Sequence, residues 1–276
     1  MRLNTPGILN KFGKTITPFL SRAFAGKRMT NLLEVSCAYL NCLIGKGAGT
    51  GWDRGEELAA SRLIRRPDPV ILDIGANQGL WTQEMRRLIG EGGKWILIEP
   101  AAECCLKLRS LSKVEVIEAA VGEQAGRATL FTPENESGLA SLYERRDTVT
   151  GSRTLQRREV QVLTIDEILA ARQIEIVDLM KMDLEGHELF ALRGATQSFK
   201  KGRIRALTFE FGAANVNSRT FFRDTWALLK DYNFTVARIY PGGRVSVVDE
   251  YSEDLEFFRG ATNYIAAASG VSLGNR

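Results

Sequence analysis

Apolar residues recur along this chain in short runs whose period alternates between two and about 3.6. Strand-type runs fall at residues 70–74, 95–99, 114–119, 177–183, 206–211, 234–239 and 263–267. Helical patterns at 80–89, 102–110, 165–172 and 188–200 separate the first five, and another lies at 221–231. This alternation predicts an α/β fold, a doubly wound parallel sheet with helices on both faces. Right-handed crossovers then bring the strand C-termini to one edge, where a ligand would sit. Short strands at 121–131 and 159–163 flank a polar loop. Before the sheet, 32–44 is apolar and 56–64 reads as a helix stopped by Pro67 and Pro69. The expected organisation is an N-terminal helical extension over 1–65, a sheet domain over 66–268 and a frayed polar tail over 269–276.

The first strand runs into Asp73-Ile74-Gly75-Ala76-Asn77-Gln78-Gly79 and then the first core helix. Strand, glycine turn and helix make the nucleotide-cofactor entry of such sheets. Gly75 and Gly79 allow a tight turn and close approach of a ligand. The spacing is not the dinucleotide G-x-G-x-x-G, because the last glycine comes one residue early. An acid on the strand with a short loop suits a ligand with a cationic amino-acid end and no phosphate. S-adenosylmethionine is such a ligand. Glu99, ending the second strand, stands at roughly the twenty-residue offset of an acid that takes ribose hydroxyls.

Composition narrows the alternatives. At 276 residues, 44% hydrophobic and 25% charged, the chain can bury one sizeable core of a soluble protein. A net charge of +4 does not by itself imply nucleic acid. Cys37, Cys42, Cys104 and Cys105 lack the C-x-x-C spacing of a zinc site and suggest no disulfide framework, so a reducing cytoplasm is expected. A single histidine, His187, excludes a His-rich metal site. No apolar stretch is long enough to span a membrane. The N-terminal arm carries Arg2, Lys11, Lys14, Arg22, Lys27 and Arg28 and no acid up to that point. It reads as a helical lead-in, or as an arm contacting a partner, a substrate or a membrane surface. The apolar 32–44 stretch offers an interface for a homo-oligomer.

A second dense motif is Lys181-Met182-Asp183-Leu184-Glu185-Gly186-His187-Glu188. Strand period two puts Lys181 and Asp183 on one side. The following strand ends in Phe209-Glu210-Phe211, with another acid at the same edge. Taken with the Asp73–Gly79 turn, these motifs resemble the FkbM family of S-adenosylmethionine-dependent methyltransferases over roughly residues 50–267. Gly138-Leu139-Ala140-Ser141-Leu142 resembles that family's middle loop, and Ser218-Arg219-Thr220-Phe221-Phe222 its stretch after the fifth strand. The resemblance implies a Rossmann-like class I methyltransferase sheet of seven strands, the last antiparallel. It implies O-methylation of a sugar, glycan, polyketide or similar small polar molecule, in natural-product or glycan biosynthesis, without fixing the acceptor. The general methyltransferase pattern places Asp73, Gly75, Ala76, Asn77 and Gly79 at the amino-acid end of the cofactor and Glu99 at its ribose. Pro100 would adjoin that site, and Ala120 and Val121 would flank the adenine.

An alcohol acceptor must lose a proton, to a general base or through a divalent ion. His187 is the side chain whose ordinary pKa suits a base, or else it orients Asp183. Asp183 and Glu210 could share a magnesium ion, or Asp183 binds acceptor or cofactor without one. Lys181 assists an acceptor anion or, the favoured reading, neutralises the two acids. The basic stretch 145–158 is a solvated face or a lid for an anionic acceptor. Trp81 and Phe131 read as core or wall residues. The alternatives are a nucleic-acid or protein N-methyltransferase, an NAD-linked oxidoreductase on a similar sheet, and a non-catalytic cofactor-binding partner. No nucleic-acid partner is expected: the chain has no Asn-Pro-Pro-Tyr or Asp-Pro-Pro-Tyr stretch to hold a flipped base.

Overall fold

The computed structural model describes residues 21, 24, 26–47, 54–133, 139–145, 154–256 and 260–274. Most of the basic N-terminal arm, residue 138 of the middle loop, and 146–153 of the basic stretch lie outside them. The chain forms two units, Met1–Asn41 and Cys42–Arg276. Helix α1 (Lys27–Leu43), which lies in the first unit up to Asn41, is amphipathic but buries no residue, and Leu32, Leu33 and Leu40 stay exposed.

The second unit begins its regular structure with α2 (Gly55–Ser61), which buries Ala59 and Ala60 and packs against the sheet. The sequence reading ended the extension at residue 65; α2 belongs structurally to the sheet unit. The reason is its small-residue face, which lets a short helix lie close on its neighbours.

The main sheet has eight strands. Five strands pair in parallel: β1 (Val70–Ile74), β2 (Lys94–Ile98), β3 (Val114–Ile117), β7 (Leu179–Met182) and β8 (Ala206–Gly212). They are joined by β9 (Phe234–Ile239), β10 (Val245–Val247) and β11 (Ala261–Ala268). Their order is β10-β9-β11-β8-β7-β1-β2-β3, with β11 antiparallel to both β8 and β9. The expected seven strands are present, with the last one antiparallel. The eighth, β10, is an edge addition turned back on β9 through Pro241–Gly243. It spans three residues, too few for an alternation to show in sequence. Strand order reverses between β1 and β7, and at such a switch point open α/β sheets bind ligands beyond the strand C-termini.

Helices α3 (Leu80–Ile89), α4 (Ala102–Leu108), α5 (Ile165–Ala171) and α9 (Phe222–Asp231) fall where the periodicity places them. The helix expected at 188–200 is two, α6 (Glu188–Arg193) and α7 (Thr196–Lys200). The break has a cause: both oxygens of Asp166 accept from the first turn of α7, from Gln197 N and Ser198 N at 2.8 Å each. A short α8 (Ala214–Ser218) follows β8. A second sheet of β4 (Ala120–Val121), β6 (Leu155–Leu163) and β5 (Gly126–Pro133) packs Leu130, Val160 and Val162 against Ala101 and Cys104 at α4.

Apolar side chains pack on both faces of the main sheet. Phe209, Phe222 and Tyr264 stack together, with ring centroids 4.3 Å apart for Phe222 and Tyr264. Each such fully buried side chain contributes roughly 1.5–3 kcal/mol. This rigid base holds the polar strand ends in place.

Candidate active site

After β1 the chain turns at Gly75, whose φ of +77° lies in the left-handed region. A Cβ there would run into the Asp183 carbonyl, so only glycine lets the β1 and β7 ends meet. Gly75 N and Ala76 N both donate to Ile98 O, at 2.9 and 3.1 Å, and Asp183 N donates to Ile74 O at 3.0 Å. Three strand ends are thereby tied together.

Glu99 is held by this turn. Its oxygens accept from Asn77 N and Ala101 N, each at 2.8 Å. Burial raises its pKa, and those two amides oppose the rise. Glu99 lines a narrow cleft with Gly75, Asn77, Pro100, Ala120, Val121 and His187. The cleft has apolar walls at one end and a carboxylate at the other. Those chemistries fit a base and a ribose, so the sequence-derived nucleoside residues are brought together. Asp73, Ala76 and Gly79 do not line it, and Ala76 instead lines a neighbouring chamber under α2. Asp73 is fully buried beneath the turn, accepting from Thr82 Oγ1 at 2.6 Å.

Sheet register then sets a polar row. Asp73 pairs with Lys181, and Lys181 with Thr208; one step further along, Glu210 pairs with Asn263. Lys181 Nζ lies 3.5 Å from Asp73 Oδ1, 3.4 Å from Asp183 Oδ2 and 3.0 Å from Gly75 O. Burial works against its charge, yet Asp183, Asp73, Glu56 and Glu210 together hold its pKa above the ordinary lysine value. Burial and the neighbouring acids, Asp183 first among them, push Glu210 well above the carboxylate range. The two acids do not fit a magnesium site. The lysine ammonium already stands against Asp183, and no cluster of three or more metal-ligating side chains exists among the described residues.

Two larger spaces open on either side of Asp183 and Glu210. A chamber of about 250 Å³ under α2 is lined by Glu56, Trp81, Lys181, Asp183, Glu210 and Asn263, among others. A side cavity of about 350 Å³ is lined by Arg145, Glu185, Glu188 and Asn215 with the same two acids. Trp81 is thus a wall residue, as read from sequence. His187 is not in either space. Its Nδ1 is 2.7 Å from Tyr143 Oη, its ring stacks on Phe190, and burial lowers its pKa to about 4. Of the basic stretch, Arg145 is buried against Glu185, Arg157 pairs with Glu144, and Arg158 with Glu103.

Sequence reasoning missed Glu56 and Glu188. Glu56 accepts from Thr208 Oγ1 at 2.6 Å and from Asn263 Nδ2 at 3.3 Å. Glu188 Oε1 accepts from Leu184 N at 2.8 Å and Gly186 N at 3.3 Å, which shapes the turn after β7. A signal existed for Glu188, a glutamate two residues after Gly186 at a helix start. Glu56 carried none.

The doubly wound sheet, its switch-point cleft and the acids at the β7 and β8 ends define a Rossmann-like ligand-binding domain. The family model of the methyltransferase FkbM domain matches residues 73–236, and the chain belongs to this family. Among curated relatives, the 2-O-methyltransferase NoeI of Sinorhizobium fredii is 27% identical over 158 residues, 51% of this chain and 63% of that protein. Methyltransferase sdnD of Sordaria araneosa is 27% identical over 160 residues, 47% of this chain and 61% of that one. The chain therefore matches less than two thirds of either relative. A crystal structure of methyltransferase FkbM from Methylobacillus flagellatus KT superposes with a TM-score of 0.45 at 19% identity, covering 75% of this chain and 45% of that one.

Proposed function

We propose that the chain is an S-adenosylmethionine-dependent O-methyltransferase acting on a hydroxyl of a sugar, glycan or polyketide-type small molecule. The observation that carries this reading is a shared edge. Gly75, Asn77 and Asp183 line both the nucleoside-type cleft and the chamber under α2. A donor with its nucleoside in the cleft would run along this edge and place its amino-acid end at the Gly75–Asn77 turn, in the chamber. The relative NoeI, a 2-O-methyltransferase, supports oxygen as the acceptor atom. The donor's sulfonium is already activated, so the protein's work is to orient the acceptor and take its proton. Lys181 balances the acids beneath the reacting centre, and the Gly75 turn brings the cofactor's amino-acid end close to it.

Ala140, Ser141 and Leu142 of the segment 139–145 form one wall of this cleft. Isothermal titration with S-adenosylhomocysteine tests the reading. Micromolar binding is expected, weakened about tenfold or more in Glu99→Gln, which loses a charged acceptor for the ribose. A folded wild-type protein that binds none of this ligand overturns it.

A further inference from the structure

Charge is unevenly spread along the chain. The first unit, Met1–Asn41, holds six of the 37 basic residues and one of the 33 acidic ones. It therefore carries +5, while the remaining 235 residues carry −1. All of the net positive charge thus belongs to one short segment, a pattern that points to an anionic partner. Lys27 and Arg28 open α1, and Arg2, Lys11, Lys14 and Arg22 precede them in sequence.

Exposed apolar surface is concentrated in the same unit. Six of the fifteen large apolar side chains exposed among the described residues fall within the twelve positions 29–40. Met29, Leu32, Leu33 and Leu40 are spaced by three, four and seven residues, which puts them on one face of α1. Leu32 and Leu40 are 59% and 61% exposed, so this stripe is open to a ligand. Ser36, on the same face, turns its hydroxyl back to Leu32 O at 2.8 Å, which satisfies the donor within the helix. Thr30, Glu34 and Asn41 lie on the opposite side. No helix among the described residues is long and apolar enough to cross a membrane, so a helix of this kind can lie on a bilayer and not through it.

We propose that the first unit docks on an anionic lipid surface, with the α1 stripe at the boundary of headgroups and acyl chains and the basic residues among the headgroups. Each half of the observation excludes a different rival. A nucleic acid would answer the charge and leave the leucines in water. A second copy of this chain could cover the leucines, but it would bring two +5 segments together. An anionic bilayer answers both, because apolar burial at its interface and attraction of cations to its surface act together. The −1 remainder of the chain has no such attraction, so docking depends on the first unit. The inference goes beyond the methyltransferase reading and does not rest on it.

The test uses the full chain as wild type, as a Leu32→Ser, Leu40→Ser double variant and as a Lys27→Gln, Arg28→Gln double variant. Each is floated with vesicles of phosphatidylcholine or of an equal mixture with phosphatidylglycerol, and its oligomeric state without lipid is read by sedimentation. Wild type should bind the anionic vesicles about tenfold or more tightly than the neutral ones, since each basic residue near such a surface is worth about fivefold. Each variant should bind the anionic vesicles about tenfold or more weakly than wild type does. Their melting temperatures should match wild type, because α1 buries no residue, so a loss of lipid binding reports the surface and not the fold. Absence of binding to anionic vesicles by wild type overturns the proposal. Equal affinity for both kinds of vesicle does so too, as does unchanged binding in either variant. A wild-type dimer that the leucine variant dissociates, without vesicle binding, overturns it in favour of a second copy on the stripe.

Discussion

His187 shows how environment can reassign a residue that sequence singles out. An ordinary imidazole titrates near neutrality, but here burial lowers the pKa to about 4. At neutral pH the ring is uncharged and too weak a base to draw a proton from an alcohol. Its contacts are those of a positioning residue. Nδ1 meets the Tyr143 hydroxyl, whose own pKa burial pushes up to about 12, and the ring stacks on Phe190 beside the cleft. His187→Asn should therefore leave the position of the acid limb of kcat/KM unchanged and alter kcat by no more than about threefold. A pH-rate profile checks this, and disappearance of the acid limb would return His187 to the role of base. Gly75, by contrast, was legible as a necessity from spacing alone, because an acid, a turn and a helix leave few residues that fit between strand and ligand. Glu56 was not. Its partners Thr208 and Asn263 lie 152 and 207 residues away, and a lone glutamate on a helix reads as solvated surface.

At the scale of elements, local periodicity found strands and helices, while breaks set by distant contacts escaped it. The division of α6 from α7 depends on Asp166, some thirty residues upstream. The turn between β7 and α6 depends on Glu188, which is nearly fully buried and leaves Oε2 without a partner. Burial raises the Glu188 pKa to about 7, from a usual value of 4.5, against the pull of the turn's amides. The consequence for stability follows by linkage. Below about pH 4.5 both folded and unfolded chains hold the proton. As pH rises, the unfolded chain releases it first, so stability falls until the folded group also ionises near 7. By then this one group costs on the order of 3 kcal/mol. Glu188→Gln keeps an oxygen for Leu184 N and Gly186 N and removes the titration. Urea midpoints should show it more stable than wild type above about pH 7 and less dependent on pH, with Glu56 and Glu210 supplying the remaining slope in the same direction. Equal slopes in the two proteins would mean that Glu188 ionises freely in the folded chain.

For the whole molecule, the question is how much chain before β1 the sheet unit requires. Composition suggested one extension ending at residue 65, since basic and apolar segments run without an obvious boundary to Pro67. The division into units falls at Asn41, and α2 lies on the sheet side of it. Ala60 is fully buried, Ala59 and Leu63 nearly so, and Glu56 bonds to β8 and β11. Together these contacts are worth on the order of 3–5 kcal/mol. No helix among the described residues is long and apolar enough to cross a membrane. A chain of residues 42–276 should unfold cooperatively and bind S-adenosylhomocysteine as the full chain does, because α1 buries none of its own residues. A chain of 65–276 should melt roughly 10 °C lower, the shift that such a loss produces in a domain of this size. It should also bind S-adenosylhomocysteine more weakly than 42–276, since it loses Gly55, Glu56 and Glu57, which line the chamber together with the Gly75–Asn77 turn. Thermal melts and titration on the two truncations separate these effects. Full cofactor affinity in 65–276 would show that the sheet makes its ligand site without α2.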